Sequence, residues 1–179
     1  MKEINENIIF IGFTSCGKSA AGMQLSLITN REFKDLDDIV EDIFFKEKGE
    51  NLKCRVIYEV YGELFFRKLE SRALKSLQCC HSFVLSTGGG VVRLEENLKL
   101  LIELGKVVYL KTDPDVIYKR MTISKGLPAY MDGHEKELEV SAALSKIEPE
   151  YLKIADLIIE NSDLSPLETA KKVIESIEL

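Results

Sequence analysis

Residues 8–19 of the chain read IIFIGFTSCGKS, and the expected architecture follows from these twelve residues. The first four form a short apolar run rich in β-branched residues, which is typical of a strand buried on both faces. The last eight match the pattern G-x-x-x-x-G-K-[ST], and residues with helical spacing follow them. A buried strand, a glycine loop and a helix in this order predict a phosphate-binding loop for a nucleoside triphosphate.

Each part of this loop has a chemical reason. Glycines allow the backbone to curl until successive N–H groups face the phosphate oxygens, and the helix N-terminus adds a favourable dipole. Lys18 is predicted to reach the β- and γ-phosphates, and the Ser19 hydroxyl to bind Mg²⁺. The residues predicted to bind the nucleotide in this loop are Gly12, Gly17, Lys18, Ser19 and Ala20.

The rest of the chain continues the alternation of strand and helix. Further buried strands are predicted near Phe33 and at residues 83–86, 107–110 and 155–159, with helical patterns between them. The polar stretch 46–55, which contains Gly49, is predicted to be a surface loop. This alternation predicts an α/β fold in three layers, with a five-stranded parallel sheet between helices, as one domain over residues 1–179.

Composition limits the classes of function. The 179 residues are 45% hydrophobic and 30% charged, which indicates a globular protein. With 24 Lys and Arg against 30 Asp and Glu the net charge is −6, so nucleic acid and anionic membranes are not expected partners. No apolar run approaches the roughly 20 residues of a membrane helix. The four cysteines show no CxxC or zinc pattern and the N-terminus no signal peptide, so we expect free thiols and a cytoplasmic location.

Two carboxylates follow the second predicted strand. Asp35 and Asp37 are two residues apart, and alternate residues of an extended segment face the same side, so both are predicted to point into the ligand cleft. One would hold Mg²⁺ through its waters, and the other would accept a proton from a hydroxyl group. Asp38 would point elsewhere, and the alternative for all three is a solvated acidic turn.

Two further motifs are candidates for binding an acceptor. Arg67 and Glu70 are neighbours on one face of a predicted helix, where the alternative is an ordinary surface ion pair. Gly88, Gly89 and Gly90 follow the third strand and would permit close approach of a ligand to the backbone, where the alternative is a flexible turn.

Together these motifs resemble those of the shikimate kinase family. The segments GFTSCGKS, FKDLDD, GELFFRKLE, STGGGVV, GKVVYL and YLKIAD occur in the family's order and approximate spacing over nearly the whole chain. The resemblance implies a P-loop kinase fold with an acceptor-binding segment at about 33–66 and a mobile lid at about 123–136. It also implies a monomer that phosphorylates the 3-hydroxyl of shikimate with ATP and Mg²⁺.

The resemblance also assigns residues to roles. Lys18 and Asp37 are the implied catalytic residues, and Ser19 and Asp35 lie near the metal. Arg67 would pair with the acceptor carboxylate, and Glu70 would hold Arg67 in place. The implied acceptor-binding residues are Asp37, Phe66, Arg67, Gly88, Gly89, Gly90 and Lys146, and Arg120 and Pro166 would lie on the adenine side.

The chain departs from the family pattern at two arginines. Leu127 stands where the family lid has an arginine that reaches the transferred phosphate, and Ile147 stands where a second arginine binds the carboxylate. Lys125 and Lys146 are the candidate replacements, although lysine lacks the planar fork of arginine. Leu164 also replaces an arginine on the adenine side, and stretch 46–55 is longer than usual.

Three hypotheses follow from this pattern. The first is a shikimate kinase in which lysines take over from the missing arginines. The second is a P-loop kinase for a different hydroxylated carboxylate. The third is a weakly catalytic ATP-binding protein with a regulatory role, for which the two missing arginines are the best argument. The intact phosphate loop and both aspartates favour the first.

Overall fold

The computed structural model describes residues 6–124 and 136–177. The strands are β1 (Asn7–Ile11), β2 (Glu32–Asp35), β3 (Phe83–Ser86), β4 (Gly105–Lys111) and β5 (Leu157–Glu160). The helices are α1 (Lys18–Thr29), α2 (Leu36–Lys48), α3 (Cys54–Tyr61), α4 (Glu63–Ser76), α5 (Glu95–Leu104), α6 (Pro114–Ser124), α7 (Lys136–Ile154) and α8 (Pro166–Ile177). A short 3-10 helix, Val91–Arg93, precedes α5.

The five strands form one parallel sheet in the order β2-β3-β1-β4-β5. β1 lies in the centre, between β3 and β4, with Ile9 opposite Leu85 on one side and Val107 on the other. After β1 the chain crosses to β2 at one edge of the sheet, whereas after β3 it crosses in the opposite direction to β4. The segments that follow the neighbouring strands β1 and β3 therefore diverge at the carboxyl edge and leave room for a ligand. The predicted α/β fold with a five-stranded parallel sheet is confirmed.

The two faces of the sheet carry separate apolar cores. Ile9 and Ile11 of β1 pack into one core with α4, α5 and α7, whereas Ile8 and Phe10 pack into the other with α1 and α8. Side chains alternate across a strand, so a run of consecutive apolar residues supplies both cores at once. This is the physical reason why the unbroken run at residues 8–11 predicted a central strand.

The segment between β2 and α4 differs from the sequence prediction. Stretch 46–55 is not a loop along its length, because α2 continues to Lys48 and α3 begins at Cys54. Gly49 ends α2 in the left-handed conformation, at φ 72°. The sequence reading missed α3 because its polar start hides the apolar side that Ile57 buries against the core.

The apolar residues from Leu64 to Leu77 are mostly buried. Leu69, Ala73 and Leu77 are buried, whereas Leu64 is exposed. The Ser165 backbone N–H donates to the Glu168 carboxylate at 2.8 Å, which forms a capping box at the start of α8. Within the part of the chain that the structure describes, no helix has the length and apolarity needed to span a membrane.

Candidate active site

The loop after β1 adopts the conformation that its glycines were predicted to permit. Gly12 has φ 142°, and a Cβ atom there would lie 2.7 Å from the carbonyl oxygen of Leu110. Gly17 has φ 102° and caps the N-terminus of α1. A side chain at either position would strain the backbone, and at Gly12 it would also collide with β4, so both glycines are required by the shape of the loop.

The Lys18 side chain is folded into this loop. Its Nζ donates to the carbonyl oxygens of Gly12 at 2.8 Å and Phe13 at 2.7 Å, and the residue is 7% exposed. Two backbone carbonyls thus hold the ammonium at the start of α1. The geometry places a fixed positive charge where phosphate oxygens would bind.

Ser19, Asp35 and Ser86 bring together several side-chain oxygens that could act as metal ligands beside the loop. The Ser19 hydroxyl donates to Asp35 Oδ2 at 3.0 Å and lies 2.9 Å from Ser86 Oγ. Hydroxyl and carboxylate oxygens are the donors that Mg²⁺ prefers, and Mg²⁺ commonly uses few protein ligands and keeps several waters. The residues present therefore fit a magnesium ion bound together with phosphate.

Asp35 and Asp37 reach the cleft by a different geometry from the one predicted. β2 ends at Asp35, whose side chain caps α2 by accepting from the Asp37 backbone N–H at 3.1 Å. Asp37 therefore belongs to the first turn of a helix, not to an extended segment. Both carboxylates nevertheless line the same cavity, of about 510 Å³.

This first cavity, which we call the nucleotide cavity, collects most of the predicted nucleotide-binding residues. Its wall includes Gly17, Lys18, Ser19, Ala20, Asp35, Asp37, Gly88, Gly89 and Arg120. Pro166 begins α8 and is not among the described residues that line this cavity, so its role stays a prediction.

The environment of Asp37 raises the pKa of its carboxyl group to about 6. Loss of water around the group is the main cause, and the nearby Asp35 charge adds to it, while Lys18 opposes both. A carboxylate with a pKa close to neutrality is a better proton acceptor than an ordinary aspartate. This property suits Asp37 to take a proton from a hydroxyl group.

A second cavity, of about 180 Å³, adjoins the first, and we call it the acceptor cavity. Its wall contains the predicted residues Asp37, Phe66, Arg67, Glu70, Gly88, Gly89 and Gly90. Thr14, Asp37, Gly88 and Gly89 line both cavities. The structure thus brings the Arg67–Glu70 pair and the three glycines, which are separate in the sequence, into one cavity beside the Asp37 carboxylate.

Arg67 and Glu70 form a buried ion pair in the wall of the acceptor cavity. Arg67 Nη1 donates to Glu70 Oε2 at 2.8 Å, and Glu70 is fully buried. Burial raises the pKa of Glu70 to about 7, even though Arg67 acts to lower it. The surface ion pair that was an alternative for these residues is excluded by their burial.

Aromatic rings fix the position of the Arg67 guanidinium. Its Cζ lies 5.8 Å from the Tyr58 ring centroid and 5.3 Å from that of Phe66. The Glu63 carboxylate lies 3.7 Å from Arg67 Nε. A guanidinium held by rings and a carboxylate loses little freedom when it binds a planar anion, which favours bidentate recognition.

The three glycines after β3 are packed closely against these side chains. A Cβ atom on Gly88 would lie 3.2 Å from both Asp37 Oδ1 and Glu70 Oε1, and one on Gly90 would collide with the Arg67 guanidinium. Gly89 accepts a hydrogen bond from the Tyr151 hydroxyl through its carbonyl oxygen. The run GGG is therefore a fitted wall, not a flexible turn.

Arg120 is held against the outside of the phosphate loop. Its Nη1 donates to the Cys16 carbonyl oxygen at 3.0 Å, and the same oxygen accepts from Asn161 Nδ2 at 2.8 Å. Asn161 also accepts from the buried Thr112 hydroxyl at 2.5 Å. The sequence reading missed Asn161 and Thr112, since isolated polar residues after strands carry no pattern.

Of the two positions where the family has an arginine, 127 and 147, the structure describes only position 147. Ile147 is 4% exposed and belongs to the apolar core, and the neighbouring Lys146 lines neither of the two cavities among the described residues. Lys146 instead lines a groove of about 1040 Å³ that shares Tyr58 and Arg67 with the acceptor cavity. Leu127, Lys125 and most of the predicted lid lie outside the described residues.

Four residues that line the acceptor cavity were not predicted from sequence. One is Thr14 of the phosphate loop, and the others are Cys54, Arg55 and Tyr58, all on α3. The Cys54 thiol donates to the Asp37 carbonyl oxygen at 3.4 Å, which ties α3 to the start of α2. Recognising α3 as a helix would have placed Arg55 and Tyr58 on one face, since they are three residues apart.

Comparison with known proteins agrees with this arrangement. Residues 14–178 match the family model of shikimate kinase. Shikimate kinase from Actinobacillus pleuropneumoniae serotype 5b is 35% identical over 173 residues, which cover 96% of this chain and 95% of that protein.

The fold is also similar to solved structures of shikimate kinases. Shikimate kinase from Acinetobacter baumannii, in complex with shikimate, superimposes with a TM-score of 0.87 at 28% identity, covering 98% of this chain and 94% of that one. Shikimate kinase from Aquifex aeolicus superimposes with a TM-score of 0.77 at 32% identity and covers 96% of each chain.

Proposed function

As a member of the shikimate kinase family, this chain is a small-molecule kinase that phosphorylates shikimate with ATP, and we propose that Asp37 and Arg67 orient the acceptor for this transfer. One observation carries the assignment of residues. The nucleotide cavity and the acceptor cavity meet at Asp37, which lines both. A hydroxyl bound there has a proton acceptor beside it and the phosphate loop in front of it.

The nucleotide side of the site follows from the phosphate loop. Loop N–H groups and Lys18 neutralise the charge of the β- and γ-phosphates, and Lys18 exchanges carbonyl partners for phosphate oxygens when ATP binds. Gly12, Gly17 and Ala20 keep the backbone close to the phosphates. Arg120 and Pro166 lie on the adenine side in this proposal.

Magnesium is part of the proposal, with Ser19 and Asp35 as the residues that hold it. The ion would neutralise charge on the β- and γ-phosphates. The hydrogen bond between these two side chains keeps their oxygens together before any ligand binds.

The acceptor side supplies position and proton transfer. The Arg67 guanidinium pairs with the shikimate carboxylate, and Glu70 keeps Arg67 aligned. Phe66 packs against the ring, and Gly88, Gly89 and Gly90 let the ring approach the backbone. Lys146, from the adjoining groove, adds positive charge at longer range in this proposal.

These groups perform an in-line transfer. Asp37 takes the proton of the 3-hydroxyl as its oxygen forms a bond to the γ-phosphorus. The bond from that phosphorus to the β-bridging oxygen breaks, and ADP leaves with the electron pair. Positioning and charge neutralisation supply most of the acceleration in this class of reaction.

The setting of the enzyme is also proposed. The four cysteines are free thiols, which is consistent with a reducing cytoplasm. Every residue named above belongs to one chain, so a monomer has all the groups that the proposal needs.

A matched pair of variants tests the role of Asp37. Asp37→Asn should lower kcat for shikimate-dependent ADP release about 10²- to 10⁴-fold, because general-base catalysis contributes that much. Asp38→Asn makes the same chemical change one residue later on the exposed side of α2, and should stay within about twofold. Equal rates in the two variants would exclude Asp37 as the proton acceptor, and ATP binding by calorimetry would show that both are folded.

A further inference from the structure

The acceptor cavity contains a second arginine that the family pattern does not assign. Arg55, on α3, lines this cavity together with Asp37, Arg67 and Glu70. Among the described residues that line it, Arg55 and Arg67 are the two cations. Ile147, which holds the position of the missing family arginine, contributes no charge and is buried in the core.

The charges in the cavity show why one arginine is not enough. Asp37 and Glu70 bring two carboxylates to its wall, and Arg67 already donates to Glu70 at 2.8 Å and lies 3.7 Å from Glu63. Without Arg55, an acceptor carboxylate would enter a cavity whose acidic groups outnumber its basic ones. A second guanidinium offsets this imbalance and offers further N–H donors.

The placement of Arg55 allows it to reach a ligand. It lies three residues before Tyr58, and Tyr58 is the residue whose ring lies against Arg67, so the two arginines approach the cavity from the same side of α3. Arg55 Nε donates to Glu59 Oε1 at 3.0 Å, and the two side chains are 57% and 47% exposed. An exposed pair four residues apart in a helix contributes little to stability, so Glu59 does not hold Arg55 firmly.

We propose that Arg55 binds the acceptor carboxylate together with Arg67 and so takes over the role of the arginine missing at position 147. The inference rests on the proposed function, because it uses shikimate as the acceptor. It assigns recognition of the substrate's carboxylate to a residue in stretch 46–55, which was predicted from sequence to be a surface loop. It also makes Arg55 a determinant of specificity for acidic over neutral acceptors.

The test compares Arg55→Gln with Arg72→Gln. Arg72 lies on the exposed side of α4, where it pairs with Glu47 and lines neither cavity, so its substitution removes the same charge outside the site. Arg55→Gln should raise the KM for shikimate about tenfold, with kcat changed less than about threefold, because it removes charge-assisted hydrogen bonds to the substrate. Arg72→Gln should leave the KM within about twofold, and Arg55→Lys should recover part of the loss.

A neutral acceptor separates binding from structural damage. For the carboxamide analogue of shikimate, Arg55→Gln should change the KM by less than about twofold, because no carboxylate is present. Equal losses on shikimate and its carboxamide, or an unchanged KM for shikimate, would overturn the proposal. The Kd of shikimate, measured by calorimetry, gives the same comparison without turnover. A wild-type protein that binds shikimate without transferring phosphate would refute the catalytic assignment while still deciding the role of Arg55.

Discussion

Replacing Gly90 with alanine tests whether the glycine wall sets the position of Arg67. A Cβ atom at this position would lie 2.7 Å from Arg67 Cζ and 2.9 Å from its Nη1, where ordinary contacts begin at 3.4 Å. Gly90 has φ −99° and ψ 4°, a conformation open to alanine, so the change adds no backbone strain. The single effect of the added methyl group is to push the guanidinium by at least about 0.7 Å.

The size of this shift gives the expected loss. The Arg67–Glu70 hydrogen bond is 2.8 Å long, so a displacement of about 0.7 Å along it reaches the limit of hydrogen bonding. Hydrogen bonds to charged groups contribute about 1.5–3 kcal/mol, and each 1.4 kcal/mol is a factor of ten. We therefore expect Gly90→Ala to raise the KM for shikimate about 10- to 100-fold, while the KM for ATP changes less than about twofold.

A double-mutant cycle identifies the cause. Shikimate-dependent ADP release is measured for Gly90→Ala, for Arg67→Ala and for the double variant. If the methyl group acts through the guanidinium, Gly90→Ala in the Arg67→Ala background should add less than about twofold, because the group it displaces is gone. A full additional loss in that background would refute this explanation, as would a single variant whose KM for shikimate rises less than about threefold.

Two further predictions concern protonation and stability. Because burial and the nearby Asp35 charge raise the pKa of Asp37 to about 6, kcat/KM for shikimate should fall about tenfold per pH unit as the pH drops below 6. A profile that is flat from pH 8 to pH 5 would contradict the assigned role. Asn7 is buried at the opposite end of β1, where it donates to the Leu104 and Cys80 carbonyl oxygens and accepts from the Phe83 N–H. Asn7→Ala should therefore lower the free energy of unfolding by about 3 kcal/mol without changing either KM. Denaturant unfolding would measure this loss, and a change below 1 kcal/mol would show that water replaces these hydrogen bonds.

The centre of the sheet was predictable because β1 and β4 lie side by side there and are buried along most of their length. Residues 8–11 and 107–110 contribute side chains to both cores, and a short continuous apolar run of this kind is typical of a strand buried on both faces. α3 was not predictable in the same way. It is short, buries Ile57 alone among its residues, and begins at Cys54 after Lys53, whose side chain does not cap the helix.

The site was predictable where chemistry requires a fixed residue type. Lys18 and the loop glycines are required by phosphate geometry, and the DxD and GGG motifs follow neighbouring strands whose carboxyl ends meet. The prediction that Asp35 and Asp37 share one cleft is correct, but the extended backbone predicted for both residues is wrong, because Asp35 ends the strand and caps a helix that contains Asp37. Arg55 was missed since its place in the cavity depends on the packing of α3, which no local pattern encodes.

Asp37 and Glu70, whose pKa values are both raised, lie beside Gly88. A Cβ atom on Gly88 would lie 3.2 Å from an oxygen of each carboxyl group, so glycine leaves room for two acidic groups in one wall. Burial is the main cause of both raised pKa values, and the Asp37 charge raises the pKa of Glu70 further. An acidic wall of this kind makes a good base of Asp37, but it also opposes a negatively charged acceptor. Part of the positive charge of Arg67 is offset by its hydrogen bond to Glu70. A chain with an acidic wall and no arginine at position 147 therefore needs another cation to bind a carboxylate, and Arg55 lines the cavity where that cation is needed.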